Sequence, residues 1–435
     1  MKTAESTGAD LSALMNDVLS AAHFERRDQA LITELVYGVT RQRALLDWWI
    51  DRFSRVKRVK KTIRLILRLA LYQVVFLDRI PDYAIVNSAV HSAKAAEGVG
   101  AGGFVNALLR NVIRAKNNLP QPEGKDPVQE IALSTSHPVW MVKRWFSRWG
   151  EARTRALCRS NNLTPPMTLR VNRLKTNREA LMAELLAQGA AVEPASLSPD
   201  ALMAGGLSVS GLAAFERGEF YVQDEGAQIC AYLLDAKPGE CILDLCAAPG
   251  GKTTHLAEIT EGKAEILATD RSAARLVLLK ENLKRLQSPN VKVVPLAEVL
   301  AEDRQYDRIL VDAPCSALGI LRRIPEGKWS KKAKMIQEYA KIQLEILNEA
   351  LPRLKPGGCL LYLTCSTERE ENEAVAETFS MQHAQMQRED LSEALPLAAR
   401  KYVDEAGCFT TAFNSDNMDR FFAVRWRKAG QDETN

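Results

Sequence analysis

The chain has 435 residues, 46% hydrophobic and 26% charged, with eight cysteines and a net charge of +4. That length predicts roughly two to four domains, and no apolar run approaches the roughly 18 residues that a membrane span needs. The opening MKTAESTGADLSAL lacks the basic-then-apolar plan of a signal peptide, so a cytoplasmic protein is expected. The cysteines form no CxxC pair, which argues against a metal site and, in a reducing cytosol, against disulfides.

Residues 10–115 carry apolar side chains at i, i+3, i+4 and i+7, as in LITELVYGVTRQRALLDWWIDRF and IRLILRLALYQVVFL, and predict a helical bundle. Positive charge collects here: residues 1–120 hold 18 Lys+Arg against 11 Asp+Glu, with the densest run at 52–68. That suggests a polyanion partner, although a solvated helix face explains the charge equally well. The polar, proline-rich stretch NNLPQPEGKDP (117–127) marks a boundary. We therefore expect an all-α domain over 1–125 and a small α+β domain over 126–215. The second begins with the aromatic, basic helix HPVWMVKRWFSRWG and continues as strand, loop, helix, strand.

From 216 to about 430, short apolar runs alternate with amphipathic helices. CILDLC, AEILAT, VKVVP, DRILVD and CLLYLT predict a parallel sheet covered on both faces, an α/β Rossmann-like domain. RFFAVRW (420–426) is expected to add a last strand at the edge.

The first strand runs into DLCAAPGGKTT (244–254). Its ending imitates a phosphate loop, but that motif requires glycine where Cys246 stands, which leaves an NTPase as the weakest reading. The dinucleotide fingerprint fails too, because only Gly250 and Gly251 fall in the turn. What remains is an acidic strand end, Asp244, and a tight turn over Cys246, Ala247, Ala248, Pro249, Gly250, Gly251 and Lys252. Such a turn lets backbone N–H groups approach a ligand closely. Asp270 ends the next strand, 20 residues after the turn, where an acid can grip a ribose diol. A ligand with a ribose and no need of a phosphate fits, and S-adenosylmethionine is such a ligand. Lys252 then belongs at the mouth of the crevice.

Asp312 and Cys315 follow the strand DRILVD, and Cys365 follows CLLYLT; parallel strands present such ends to one crevice. Either cysteine alone reads best as a buried hydrophobe. Two of them, each directly after a strand and each trailed by serine, read as chemistry. A thiolate that adds to carbon 6 of a pyrimidine makes carbon 5 able to attack an electrophilic methyl group, and a carboxyl group at ring nitrogen 3 assists.

DLCAAPGGKT, DAPCSALG (312–319), and TCST followed by EENE (364–367, 370–373) resemble the signature motifs of RNA 5-methylcytosine methyltransferases of the NOL/NOP/Sun class. ITELVYGVTRQRALLDWWI, FLDRIPDYAIVNSAV and GFVNALLR resemble the domain shared with the antitermination factor NusB. Together they are similar to the RsmB/Sun/Fmu family of bacterial 16S ribosomal RNA (cytosine-5) methyltransferases, over roughly residues 25–426. The resemblance implies methyl transfer from S-adenosylmethionine to cytosine carbon 5 in small-subunit ribosomal RNA. Cys365 would be the nucleophile, Cys315 would assist release and Asp312 would contact the base. Arg322, Arg323, Lys328 and Trp329 follow the DAPCSALG loop and are expected to rim the base pocket for RNA, with a core anchor for the following helix as the other reading of Trp329. No metal is expected, and nothing suggests an obligate dimer, so a monomer is expected. Three positions depart from the pattern. The family's Gly-Asp after the third strand is PLAEVL here, with Ala297 near the expected acid and Glu298 as the substitute for adenine contact. The other two are Glu326 in RRIPEGKW and Arg420 in DRFF. The altered Gly-Asp position leaves a second reading open, a non-catalytic RNA-binding or assembly protein on the same fold.

Overall fold

The computed structural model describes residues 11–21, 24–209, 211–411 and 418–430. The chain divides into two compact units. One holds the residues through Thr164 together with Leu321–Lys331; the other holds Pro165–Ile320 and Lys332 onward.

The first unit is helical. Leu11–Ala21, Arg26–Arg41, Arg43–Phe53, Lys61–Phe76, Asp82–Glu97 and Val99–Ala115 supply its helices. Their apolar stripes meet in a core around Val39, Leu46, Ile50, Leu67, Leu71, Val105 and Leu109. Part of the basic run is neutralised in place: Arg64 and Arg68 both pair with Asp47, and Arg64 with Asp51 as well. Pro127–Ser134 is capped by Asp126, whose side chain accepts from Gln129 N, with proline at the first helical position. Val139–Ser160 is broken at Gly150, where φ is 72°. These two helices belong to the same unit as the bundle, as in the Ala44 N to Ser136 Oγ hydrogen bond of 2.9 Å.

The second unit contains two sheets. The smaller is antiparallel and comprises β1 (Met167–Val171), β2 (Ala191–Pro194), β3 (Ala201–Gly205) and β4 (Phe220–Val222), in the order β2-β3-β1-β4. The helix Arg178–Ala187 covers it through Leu181 and Leu185. The larger comprises β5 (Cys241–Asp244), β6 (Glu265–Ala268), β7 (Val291–Val293), β8 (Tyr306–Asp312), β9 (Leu354–Thr364), β10 (Met386–Glu389), β11 (Phe409–Thr410) and β12 (Phe422–Lys428). Its order is β10-β12-β9-β8-β5-β6-β7, with β11 on β12. β5 to β9 run parallel, as the unalternating apolar runs predict. The last strand is not an edge: β12 lies antiparallel between β9 and β10. Arg425 explains part of this placement, since it pairs with Glu389 of β10 and donates to Leu233 O.

Candidate active site

Every parallel strand delivers its carboxyl end to the same side of the large sheet, so β5, β6, β8 and β9 place Asp244, Asp270, Asp312 and Cys365 along one crevice. Beyond β5 the chain turns sharply and enters the helix Gly251–Ile259. Gly250 has φ 106°, and a Cβ there would lie 2.6 Å from Leu279 Cδ1. The turn is tied down at each carbonyl: Arg275 donates to Ala248 O, Asn282 Nδ2 to Pro249 O at 2.9 Å, and Thr254 Oγ1 to Gly250 O at 2.7 Å. Gly251 O also accepts from the wholly buried Arg170 of β1. The same guanidinium binds Gln223 Oε1, Thr254 Oγ1 and both oxygens of Glu258. The small sheet thereby fixes the start of the helix.

A cavity of about 240 Å³ opens at this turn, lined by Tyr221, Val222, Gln223, Asp244, Cys246, Ala247, Ala248, Pro249, Gly251, Lys252 and Asp312. Tyr221 to Gln223 form a wall that the sequence motifs did not assign. Asp244 is buried, accepts from Thr253 Oγ1 at 2.7 Å, and is pushed up to about 7 by desolvation. Asp270 Oδ1 accepts from Ser272 N at 2.9 Å. Its buried Oδ2 accepts no hydrogen bond, although Arg275 Nη1 stands 3.3 Å away. An acceptor left over at a strand end suits a ligand hydroxyl. Glu298 is exposed on the short helix Leu296–Ala301, next to β7, and is not part of the cavity wall.

Lys252 Nζ lies 2.6 Å from Asp312 Oδ2 and 5.3 Å from the centre of the Phe421 ring. Burial pulls its ammonium down, but the Asp312 carboxylate outweighs that and holds it above the ordinary lysine range. The Sγ atoms of Cys315 and Cys365 are 3.4 Å apart. Hydrogen bonding to Cys315, then burial, pushes the Cys365 thiol well above its ordinary value. All eight cysteines are free thiols. Cys230 and Cys246 are pushed up by desolvation, as inert buried thiols are.

The segment expected to rim a base pocket belongs instead to the first unit. Lys328 is the clearest departure. It is fully buried and donates to Arg41 O and Ser136 O at 3.2 Å and to Asn162 Oδ1 at 2.5 Å, with its pKa held well below normal by burial. Its ammonium caps backbone carbonyls, so it is not offered to a phosphate. Trp329 donates from Nε1 to Thr40 O at 2.8 Å and lies under the Arg43 guanidinium. Arg322 is buried, with its carbonyl taken by Arg41 Nη2; Arg323 is half-buried.

A family model described as 16S rRNA methyltransferase RsmB/F matches residues 231–427; NusB family matches 1–114, and a ferredoxin-like domain of RsmF/B-like methyltransferases matches 137–206. The probable ribosomal RNA small subunit methyltransferase B of Bacillus subtilis is 36% identical over 433 residues, covering 98% of this chain and 96% of its own length. The enzyme of that name from Erwinia tasmaniensis is 39% identical over 380 residues, covering 85% and 86%. Among solved structures, that of PH0851 superposes with a TM-score of 0.78 at 28% identity, covering 93% of this chain and 91% of its own.

Proposed function

We propose, from the premise that this chain belongs to the ribosomal RNA small subunit methyltransferase B family, that it methylates carbon 5 of a cytosine in small-subunit ribosomal RNA through a covalent bond to Cys365. The observation that carries the chemistry is the pair of sulfurs 3.4 Å apart at the ends of the β8 and β9 loops, beside Asp312. One thiol attacks and a second stays within reach of the same pair of ring carbons.

S-adenosylmethionine, when bound, supplies the electrophilic methyl group. The residues present fit it: the Cys246–Lys252 turn offers backbone close to the cavity, and Asp270 keeps an unused buried acceptor oxygen for a ribose hydroxyl. Asp244, Asp312 and the Tyr221–Gln223 wall complete the enclosure. Glu298 is our candidate for the adenine side, at the end of β7.

The Cys365 thiol gives up its proton to solvent, its sulfur adds to carbon 6, and the electron pair moves to carbon 5. Asp312 faces ring nitrogen 3, donates a proton to it as the sulfur adds and takes it back on release, and Lys252 holds the resulting Asp312 carboxylate in place. After methylation Cys315 takes the carbon 5 proton, the carbon 5–carbon 6 double bond re-forms, and Cys365 leaves. A base inside a stacked helix cannot reach a thiol set this deep, so an unpaired or flipped-out nucleotide is the substrate. The helical domain (1–125) and the small domain (126–215) select the RNA for the methyltransferase domain (216–430). Arg322, Arg323, Lys328 and Trp329 serve that selection by holding their segment within the first unit's fold.

The test is to map 5-methylcytosine in small-subunit ribosomal RNA from cells with and without this protein. One cytosine should lose its methyl group in the deletion and regain it on complementation. An unchanged map would leave the non-catalytic, assembly reading in its place.

A further inference from the structure

Glu371 is not among the residues that line the cavity, yet it is fully buried and carries a carboxyl group. Oε1 accepts from Ser316 N at 2.6 Å and from Gln343 Nε2 at 3.4 Å. Oε2 accepts from Ser366 Oγ at 2.5 Å and, by a shorter contact, from Ser316 Oγ. Ser316 and Ser366 are the residues immediately after Cys315 and Cys365, and their hydroxyls are also 3.1 Å apart. One carboxylate therefore grips both cysteine loops at the same relative position.

Its neighbours extend the grip. Asn372 Nδ2 donates to Ser366 O at 3.0 Å, and its Oδ1 accepts from Thr364 Oγ1 at 2.5 Å. Gln343 Nε2 donates to Pro314 O at 3.0 Å, and Tyr362 OH donates to Glu371 O at 2.5 Å and lies 2.9 Å from Gln343 Oε1. A buried carboxylate is costly unless each acceptor site is met; here two hydroxyls, a backbone N–H and an amide meet it.

We propose that Glu371 is a positioning residue that sets the separation of the Cys315 and Cys365 thiols, so that attack and release act on one base without a loop movement between them. This rests on the covalent reading above. Its geometric core does not, because the spacing of two thiols can be read without RNA or a methyl donor.

The reporter is intramolecular oxidation. Diamide takes up the two thiol hydrogens as its hydrazine and leaves a Cys315–Cys365 disulfide, at a rate set by how closely the sulfurs are held. The full-length wild-type protein should cross-link, read by mass spectrometry of the joined peptides; Cys315→Ser should not. Glu371→Gln should cross-link about a hundred-fold more slowly, the penalty typical of a misplacement of about 1 Å. If Glu371→Gln fails to fold, the Ser316→Ala, Ser366→Ala double variant loosens two of the contacts, keeps the carboxylate and should also slow cross-linking. Equal rates in wild type and the folded variants overturn the proposal, as does a wild type that never cross-links. If the wild type cross-links and the variants are slow but no methylated cytosine is found, the clamp stands and the functional reading falls.

Discussion

Lys252 and Asp312 form a 2.6 Å ion pair between the first turn of the helix after β5 and the end of β8. The pair ties the cofactor turn to the loop that carries Cys315. Asp312→Asn removes the charge and the proton donor at the base. Its kcat should fall roughly 10²- to 10⁴-fold, the range for general acid–base groups. Lys252→Met should fall in the same direction by releasing the carboxylate. Steady-state methylation kinetics decide the matter, and a loss confined to KM for RNA would assign the pair to binding alone.

Cys365 is held protonated first by its hydrogen bond with Cys315 and next by burial. Removing that hydrogen bond must move the Cys365 pKa down, and so raise its thiolate fraction at any pH below it. In Cys315→Ala, alkylation of Cys365 by iodoacetamide at pH 7.5 should therefore be faster than in wild type, read at the Cys365 peptide. In the wild type the rate should still be rising at pH 9, the ordinary thiol value. An early plateau would mean that another group ionises Cys365 before substrate arrives.

Gly319 sits where the two loops nearly touch. Its N–H donates to Cys365 O at 2.9 Å, and a Cβ there would lie 2.6 Å from Arg420 O and 2.7 Å from Cys365 O. Both obstacles are backbone, so one of them must move. Gly319→Ala should destabilise the protein by about 1–3 kcal/mol and lower kcat by on the order of 10²-fold through displacement of Cys365. Thermal melting and kinetics on one preparation separate the two effects; unchanged kcat would show that the Cys365 loop tolerates the shift.

Asp244 gives a pH signature. Desolvation first, with the nearby Asp312 charge, raises its pKa from 3.8 to about 7 in the folded protein. Folded Asp244 thus keeps its proton across a window in which the unfolded chain has lost it, and stability from this group falls as pH rises from about 4 to about 7. Asp244→Asn cannot ionise. Its stability relative to wild type should rise across that window, by on the order of a few kcal/mol. Urea titrations at pH 4.5 and 7.5 measure the change, and a variant that loses ground toward pH 7.5 would contradict this sign.

The parts legible in the sequence were those encoded locally. The glycine turn, the acid at each strand end and the two cysteines each follow a short apolar run, and a parallel sheet gathers such ends without further instruction. The helical bundle was legible for the same reason, through its periodicity. What sequence reading missed depends on partners far along the chain. Lys328 looks like a phosphate ligand until Arg41 O, Ser136 O and Asn162 surround it. Arg170 looks like one polar residue in a short strand until it proves to hold Gly251 O and Glu258. β12 was expected at an edge, because nothing local in RFFAVRW announces the β10 strand that flanks it. Glu371 lay inside a recognised motif, EENE, whose purpose became readable only with Ser316 and Ser366 in place.

The most direct measurement of the central claim is a trapping experiment. Cys315→Ala protein, incubated with small-subunit ribosomal RNA and S-adenosylmethionine, should accumulate an RNA–protein adduct that survives denaturation. Peptide mass spectrometry should place it on Cys365, and Cys365→Ala should give neither adduct nor methylated RNA. Methylation that persists in Cys365→Ala, or an adduct on any other residue, would contradict the account.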